Sequence, residues 1–138
     1  MIDYFKLDMP RSQLLNLSSL GLAHLGDSVF EIMIRSWLCL HGKTKARDLH
    51  QATVKYVAAP AQAQRFQRIL PALTPEEADA FRRGRNSAPN FIPKAASRAE
   101  YQTATGLETL FGWLYLQGRT ERLNELFQIM MQDEIPPV

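Results

Sequence analysis

Apolar positions recur along the chain at helical spacing, and prolines, glycines and capping residues cut the pattern into segments. The first long segment starts at Ser18 or Ser19 and stops at Gly42, with Leu22, Leu25, Val29, Ile32, Met33 and Leu40 among its apolar positions. Thr44 is a candidate cap for a second helix through Leu49 to Val57. Pro60 suits the first turn of a third, which runs to Leu70 and is stopped by Pro71. Thr74, Pro75 and Glu77 combine a cap, a first-turn proline and a glutamate three residues after the cap, opening a fourth helix that ends around Gly84. The stretch "RNSAPNFIPKAA" then reads as a loop. Ser97 and Glu100 form a second capping pair for a helix through Glu108 to Gln117, with Gly118 as its stop. A last helix covers Thr120 to Asp133, with Leu123, Leu126, Phe127 and Met130 on one stripe, before Pro136 and Pro137. No strand pair, internal repeat or low-complexity segment interrupts this pattern, so the fold class is all-α.

The first segment contains "LGDSVFE", residues 25–31. Gly26 weakens a helix by about 1 kcal/mol relative to alanine, and Asp27 sets a charge beside it in the most hydrophobic part of the chain. A glycine there makes sense if another backbone must approach closely. The pairing recurs in "TGLETLFGWLYL", where Glu108 and Gly112 are four apart on one helical face amid apolar residues. The two patterns predict helices that cross at their glycines and bring Asp27 and Glu108 together. Two carboxylates in one dry site repel, so one binds a proton or both share a cation. Oxygen-only ligands favour Mg²⁺ or Mn²⁺, with water in the remaining positions. Spacing alone leaves a plainer arrangement open, in which Glu108 meets an arginine and Asp27 caps something local. His24 and Glu31 lie one turn either side of Asp27, and Glu31 is four residues before Arg35, which predicts an ion pair. No cysteine or second histidine stands at zinc spacing, so His24 reads as an ordinary helix residue.

Charge changes the picture more through its distribution than its total. The chain of 138 residues is long enough for one domain with a sizeable core, is 46% hydrophobic and 22% charged, and carries a net charge of only +2. Between Ala80 and Ala99, however, stand Arg82, Arg83, Arg85, Lys94 and Arg98 with no acid among them. Lys43, Lys45 and Arg47 make a smaller basic group. A solvated helix end explains one or two cations in "RRGR" through the helix dipole, but not an acid-free stretch that continues through Arg98. Phosphate contacts explain it better. The apolar runs are too short to span a membrane, and the N-terminus lacks the apolar core of a secretory signal. The single cysteine, Cys39, excludes an internal disulfide, reads as a small buried hydrophobe, and fits a reducing compartment.

"LAHLGDSVFE" resembles the signature helix of the ribonuclease III family, and "LETLFGWLYL" resembles the second acidic helix of that fold. "LHQATVKYVAAPAQA", "FRRGRNS" followed by "PK", and "TATGLETLFGWLYLQGRTERL" narrow the resemblance to Mini-ribonuclease III, the short bacterial form without a double-stranded-RNA-binding domain. It runs from about Leu22 to Leu126, and a chain that stops at Val138 is expected to be a single catalytic domain over residues 1–138.

The resemblance implies an all-helical homodimer that cuts both strands of an RNA duplex with a divalent metal and trims the terminal stem of the large-subunit (23S) rRNA precursor. Mg²⁺ is the expected ion, with Mn²⁺ as a substitute. The family's aspartate falls on Asp27 and its glutamate on Glu108, as metal ligands and catalytic residues. Ala23 and Thr105 stand where longer family members carry further acids, a reduction shared with the Mini-type enzymes. Arg82, Arg83, Arg85 and Lys94 suit phosphates, and Asn86 and Ser87 suit a 2′-hydroxyl. A ribosomal protein that presents the substrate is a candidate partner. The expected setting is the bacterial cytoplasm, with an organelle stroma as the alternative and no membrane association. Two other functions fit the class: a ribonuclease III-like module that binds RNA or a ribosome without cutting, and a helical protein-interaction module. The first would be signalled by loss of both Asp27 and Glu108, and both are present.

Overall fold

A computed structural model of the chain describes residues 1–42, 44–90 and 94–135. Seven α-helices and a single 3₁₀ turn, with no strand, make up the regular structure of these residues. They are α1 (Arg11–Leu14), α2 (Ser19–Leu40), α3 (Ala46–Val57), α4 (Ala59–Ile69), α5 (Pro75–Ser87), α6 (Arg98–Leu116) and α7 (Thr120–Met130).

Helix α6 is the axis of the fold, with α2, α4, α5 and α7 packed around it. Its sequence explains this. From Ala104 to Leu114 every residue except Glu108 is buried, and a helix apolar on nearly all sides has to be surrounded. Leu107, Leu110, Phe111 and Leu114 are fully enclosed. Phe30 of α2 meets Phe111 edge-on at 5.8 Å between ring centroids, and Phe66 of α4 stacks on Phe81 of α5 at 4.1 Å. Each such ring contributes about 1.5–3 kcal/mol by leaving water, so these contacts join α2 to the axis and α4 to α5.

Both predicted capping boxes form. Thr74 accepts from the Glu77 amide at 3.2 Å while Glu77 accepts from the Thr74 amide at 2.9 Å. Ser97 and Glu100 repeat the exchange at the start of α6. Gly118, one residue past the C-cap Gln117, has a φ of 73°, the left-handed conformation that ends a helix. Glu31 and Arg35 pair at 2.9 Å as their spacing predicts.

Three expectations need correction, and one short element was not predicted. Thr44 does not cap α3, which begins at Ala46 after Lys45 and has no side-chain cap. The short α1, begun after Pro10, has too few apolar positions to show a period. Cys39 is exposed: it follows the fully buried Leu38 by one residue, about 100° around α2 and on its outer side. Finally, α5 does not end around Gly84 but continues to Ser87. Gly84 is buried inside the helix, and a methyl group there would overlap the Thr109 side chain and come within 3.1 Å of the Gly106 Cα. It is a packing glycine, not a stop. Pro136 and Pro137 lie outside the described residues.

Candidate active site

Helices α2 and α6 cross at Gly26 and Gly112. A methyl group on Gly26 would fall on the carbonyl oxygen of Glu108 and lie 2.8 Å from the Gly112 nitrogen. One on Gly112 would fall on the Leu22 carbonyl oxygen and lie 3.2 Å from the Gly26 nitrogen. The two backbones touch, which accounts for glycine at both positions.

The crossing determines where the neighbouring acids go. Asp27 follows Gly26 and is exposed on the rim of the contact, while Glu108 is half-buried. Their carboxylates come within reach of a shared proton. Burial, followed by hydrogen bonding and repulsion from Asp27, pushes the Glu108 carboxyl up to about 9, and Gln62 acts in the opposite direction. No arginine answers Glu108 among the described side chains, so the plainer arrangement left open by spacing is not the one adopted.

Gln62, on α4, is passed over in the sequence reading. It is 2% exposed, and its Nε2 completes no hydrogen bond of normal geometry among the described residues. It nevertheless lies close enough to the Glu108 carboxylate to lower its proton affinity. These facts describe a buried amide that faces the acidic pair. The signal was present in the spacing of Gln62, Phe66 and Ile69, which puts the amide on the buried stripe of α4.

The donor set is two carboxylates, with no cluster of three or more acids, histidines or cysteines among the described residues. Ala23 is buried, and Thr105 spends its hydroxyl on the Tyr101 carbonyl at 2.9 Å, so neither position adds a ligand. Two hard oxygen donors beside an unfilled amide suit a hard divalent cation that keeps several waters.

The basic residues belong to α5 and the segment after it. Arg82 and Arg83 are exposed and share Asp79 as partner, at 3.5 and 3.3 Å. The acid-free stretch thus meets an acid one turn upstream. Arg85 packs over the Phe81 ring, and its Nε donates to Asn86 at 3.4 Å. Asn86, Ser87 and Lys94 are exposed, and Arg98 donates to Asn90 at 2.9 Å, tying the loop to the start of α6. Residues 91–93 and Lys43 lie outside the described residues. A groove of about 500 Å³ between α1, α5 and α6 contains Arg83 and Trp113 but neither carboxylate, so the acidic pair lies outside it.

Residues 20–119 match the model of the ribonuclease III domain. The chain is also 46% identical to the Mini-ribonuclease 3 of Symbiobacterium thermophilum, across 83% of this chain and 88% of that one. The chain belongs to the Mini-ribonuclease III family. Identity to the family member of Thermoanaerobacter is 41%, over 90% of this chain and 87% of that one, and to that of Synechocystis 40%, over 94% and 87%. A crystal structure of a protein from Fusobacterium nucleatum superposes with a TM-score of 0.77 at 30% identity, over 85% of this chain and 90% of that one. The chain is an endoribonuclease with the all-α ribonuclease III fold. Enzymes of the ribonuclease III family act on double-stranded RNA, typically as dimers, and generally depend on a divalent metal. No helix among the described residues is long and apolar enough to cross a membrane.

Proposed function

We propose that Asp27 and Glu108 hold a divalent cation, Mg²⁺ by donor type with Mn²⁺ as a substitute, and that the chain hydrolyses both strands of an RNA duplex as a homodimer in the bacterial cytoplasm. The supporting observation is the glycine crossing, which sets two carboxylates side by side with no arginine or lysine among the described residues to answer them. Such an ion supplies a more acidic water and neutralises the charge that develops on the phosphate.

The remaining work falls to the chain's own residues. Asp27 and Glu108 orient the ion and need not act as the base. Arg82, Arg83, Arg85 and Lys94 contact phosphates along the duplex, and Asn86 and Ser87 reach a 2′-hydroxyl. Duplex RNA is held mainly by shape, phosphates and 2′-hydroxyls, and exposed side chains on the last turn of α5 suit that role. The products are a 5′ phosphate and a 3′ hydroxyl. One site per strand leaves a staggered end, and α2 exposes Leu20, Ile32 and Leu40 as apolar surface for the second copy. The substrate, by resemblance to the family, is the terminal stem of the 23S rRNA precursor, with a ribosomal protein as the partner that presents it.

Incubation with a long RNA duplex, in Mg²⁺ or in a chelator, tests this reading when binding and cleavage are scored separately. Cleavage in Mg²⁺ alone is expected. Binding without cleavage in either condition would favour a non-catalytic RNA-binding module, and neither binding nor cleavage would favour a protein-interaction module.

A further inference from the structure

Gln62 is a buried polar group beside the acidic pair that the proposed reaction leaves without a task. Helix α4 packs on α6, and Gln62, Phe66 and Ile69 form its inward stripe. Phe66 and Ile69 are core residues of the expected kind. A glutamine in the same stripe is not, because a buried amide needs partners for an acceptor and two N–H donors. Its Nε2 has none among the described residues, and the polar group in front of it is the Glu108 carboxylate.

We propose that Gln62 is a positioning residue for the acidic pair, donating from Nε2 to the Glu108 carboxylate and fixing the rotamer in which Glu108 presents its oxygens beside Asp27. The proposal rests on the reading of Asp27 and Glu108 as a cation site. Glu108 is the only break in the buried surface of α6 between Ala104 and Leu114 and has no arginine to hold it. A long carboxylate side chain in that position loses rotamer freedom whenever it binds an ion. An amide fixed in the core of the neighbouring helix lessens that loss, because its own orientation is set by packing. Partners that orient metal ligands act in this way.

The test uses the full-length protein with Gln62→Leu and Gln62→Met, which keep the volume and remove the donors. Three quantities are read: melting temperature without metal, Mn²⁺ affinity without RNA by calorimetry, and kcat and KM on a duplex in Mg²⁺. Melting temperatures without metal serve as the control for folding, and both variants are expected to stay close to wild type because the substitutions keep the buried volume. Mn²⁺ affinity and kcat are expected to fall about 10-fold or more, the range for a lost ligand-orienting partner, with KM for the duplex nearly unchanged. Asp27→Asn and Glu108→Gln are measured in parallel. If these two lose Mn²⁺ binding while the Gln62 variants bind and cut as wild type, Gln62 is only a core residue and the cation site stands. If all four variants bind Mn²⁺ as wild type, the cation site itself is wrong and the proposal falls with it.

Discussion

Gly26 and Glu108 meet backbone to backbone, with no room for even a methyl group between the α2 helix and the Glu108 carbonyl. Gly26→Ala gains about 1 kcal/mol of helix propensity and loses more to overpacking, which costs about 1–3 kcal/mol where a core can shift. Here the obstacle is the backbone of a second helix, which cannot shift cheaply. We expect a net destabilisation of about 2 kcal/mol or more, read as a lower urea midpoint. An unchanged midpoint would show that the helices can separate at little cost, and would remove the reason for placing the two acids together.

The acidic pair makes the metal-free protein sensitive to pH. The folded Glu108 carboxyl is pushed up to about 9 from an ordinary value of 4.5, mainly by burial and then by Asp27. Between those values the folded state binds more protons than the unfolded state, so this pair's contribution to stability falls as pH rises. In a chelator the melting temperature should therefore decline from pH 5 toward pH 9, and Glu108→Gln should flatten the decline. Mg²⁺ should raise the melting temperature most at the alkaline end, where it replaces the missing proton.

Acid acts through a different group. Glu77 is fully buried, and its carboxylate receives Arg122 Nε at 2.8 Å and Nη2 at 2.9 Å as well as the Thr74 amide. Burial pushes its carboxyl up, but Arg122 and Thr74 together hold it below the usual glutamate value of 4.5. A lowered folded value means stability that is present above pH 4.5 and lost as pH falls through the folded value. Glu77→Gln should cost about 1–3 kcal/mol at neutral pH, because it removes the buried charge that the half-buried Arg122 pairs with and leaves that arginine with Glu125 and the Ala72 carbonyl. It should also reduce the slope of acid unfolding below pH 4.5, which denaturation at a series of pH values measures.

Much of this was legible in the sequence, for identifiable reasons. The capping residues Thr74 and Ser97 marked helix starts because each had its glutamate three residues on. Gly26 and Gly112 were readable as a crossing because each sat beside an acid in an apolar helix, where neither residue has a local use. Gly84 misled for the converse reason: arginines around it resemble a helix end, and only the tertiary packing against Gly106 and Thr109 shows why a helix tolerates it. The pairing of Arg82 and Arg83 with Asp79 follows from that same continuation of α5, since the three-and-four spacing matters only inside a helix. Gln62 was missed because only its spacing from Phe66 and Ile69 places it on the buried stripe of α4, and a lone glutamine among alanines does not draw the eye to that stripe.

The basic face of α5 yields a salt-dependent prediction. Replacing Arg82, Arg83 and Arg85 with alanine should weaken duplex binding and flatten its dependence on salt, because fewer counterions are released. KM should rise more than kcat falls. Unrelated duplexes should be affected alike, since phosphate contacts carry no direct base information. Asp79→Ala should act in the opposite direction, freeing Arg82 and Arg83 from their carboxylate. Cleavage kinetics at several salt concentrations on two duplexes measure all three effects. An unchanged salt slope would place the RNA elsewhere, for instance across Lys45 and Arg47.

The central claim is that Asp27 and Glu108 jointly hold the ion that cuts RNA. The most direct measurement is the single-turnover cleavage rate of Asp27→Asn and Glu108→Gln on a duplex in Mg²⁺, with folding and duplex affinity checked in the same samples. Each amide keeps the shape of the side chain and removes the charge. The expected result is loss of cleavage in both variants, with an intact fold and much of the RNA affinity retained. A near wild-type rate in either variant would contradict the account, because a residue dispensable for cleavage in Mg²⁺ is not holding the ion that performs it.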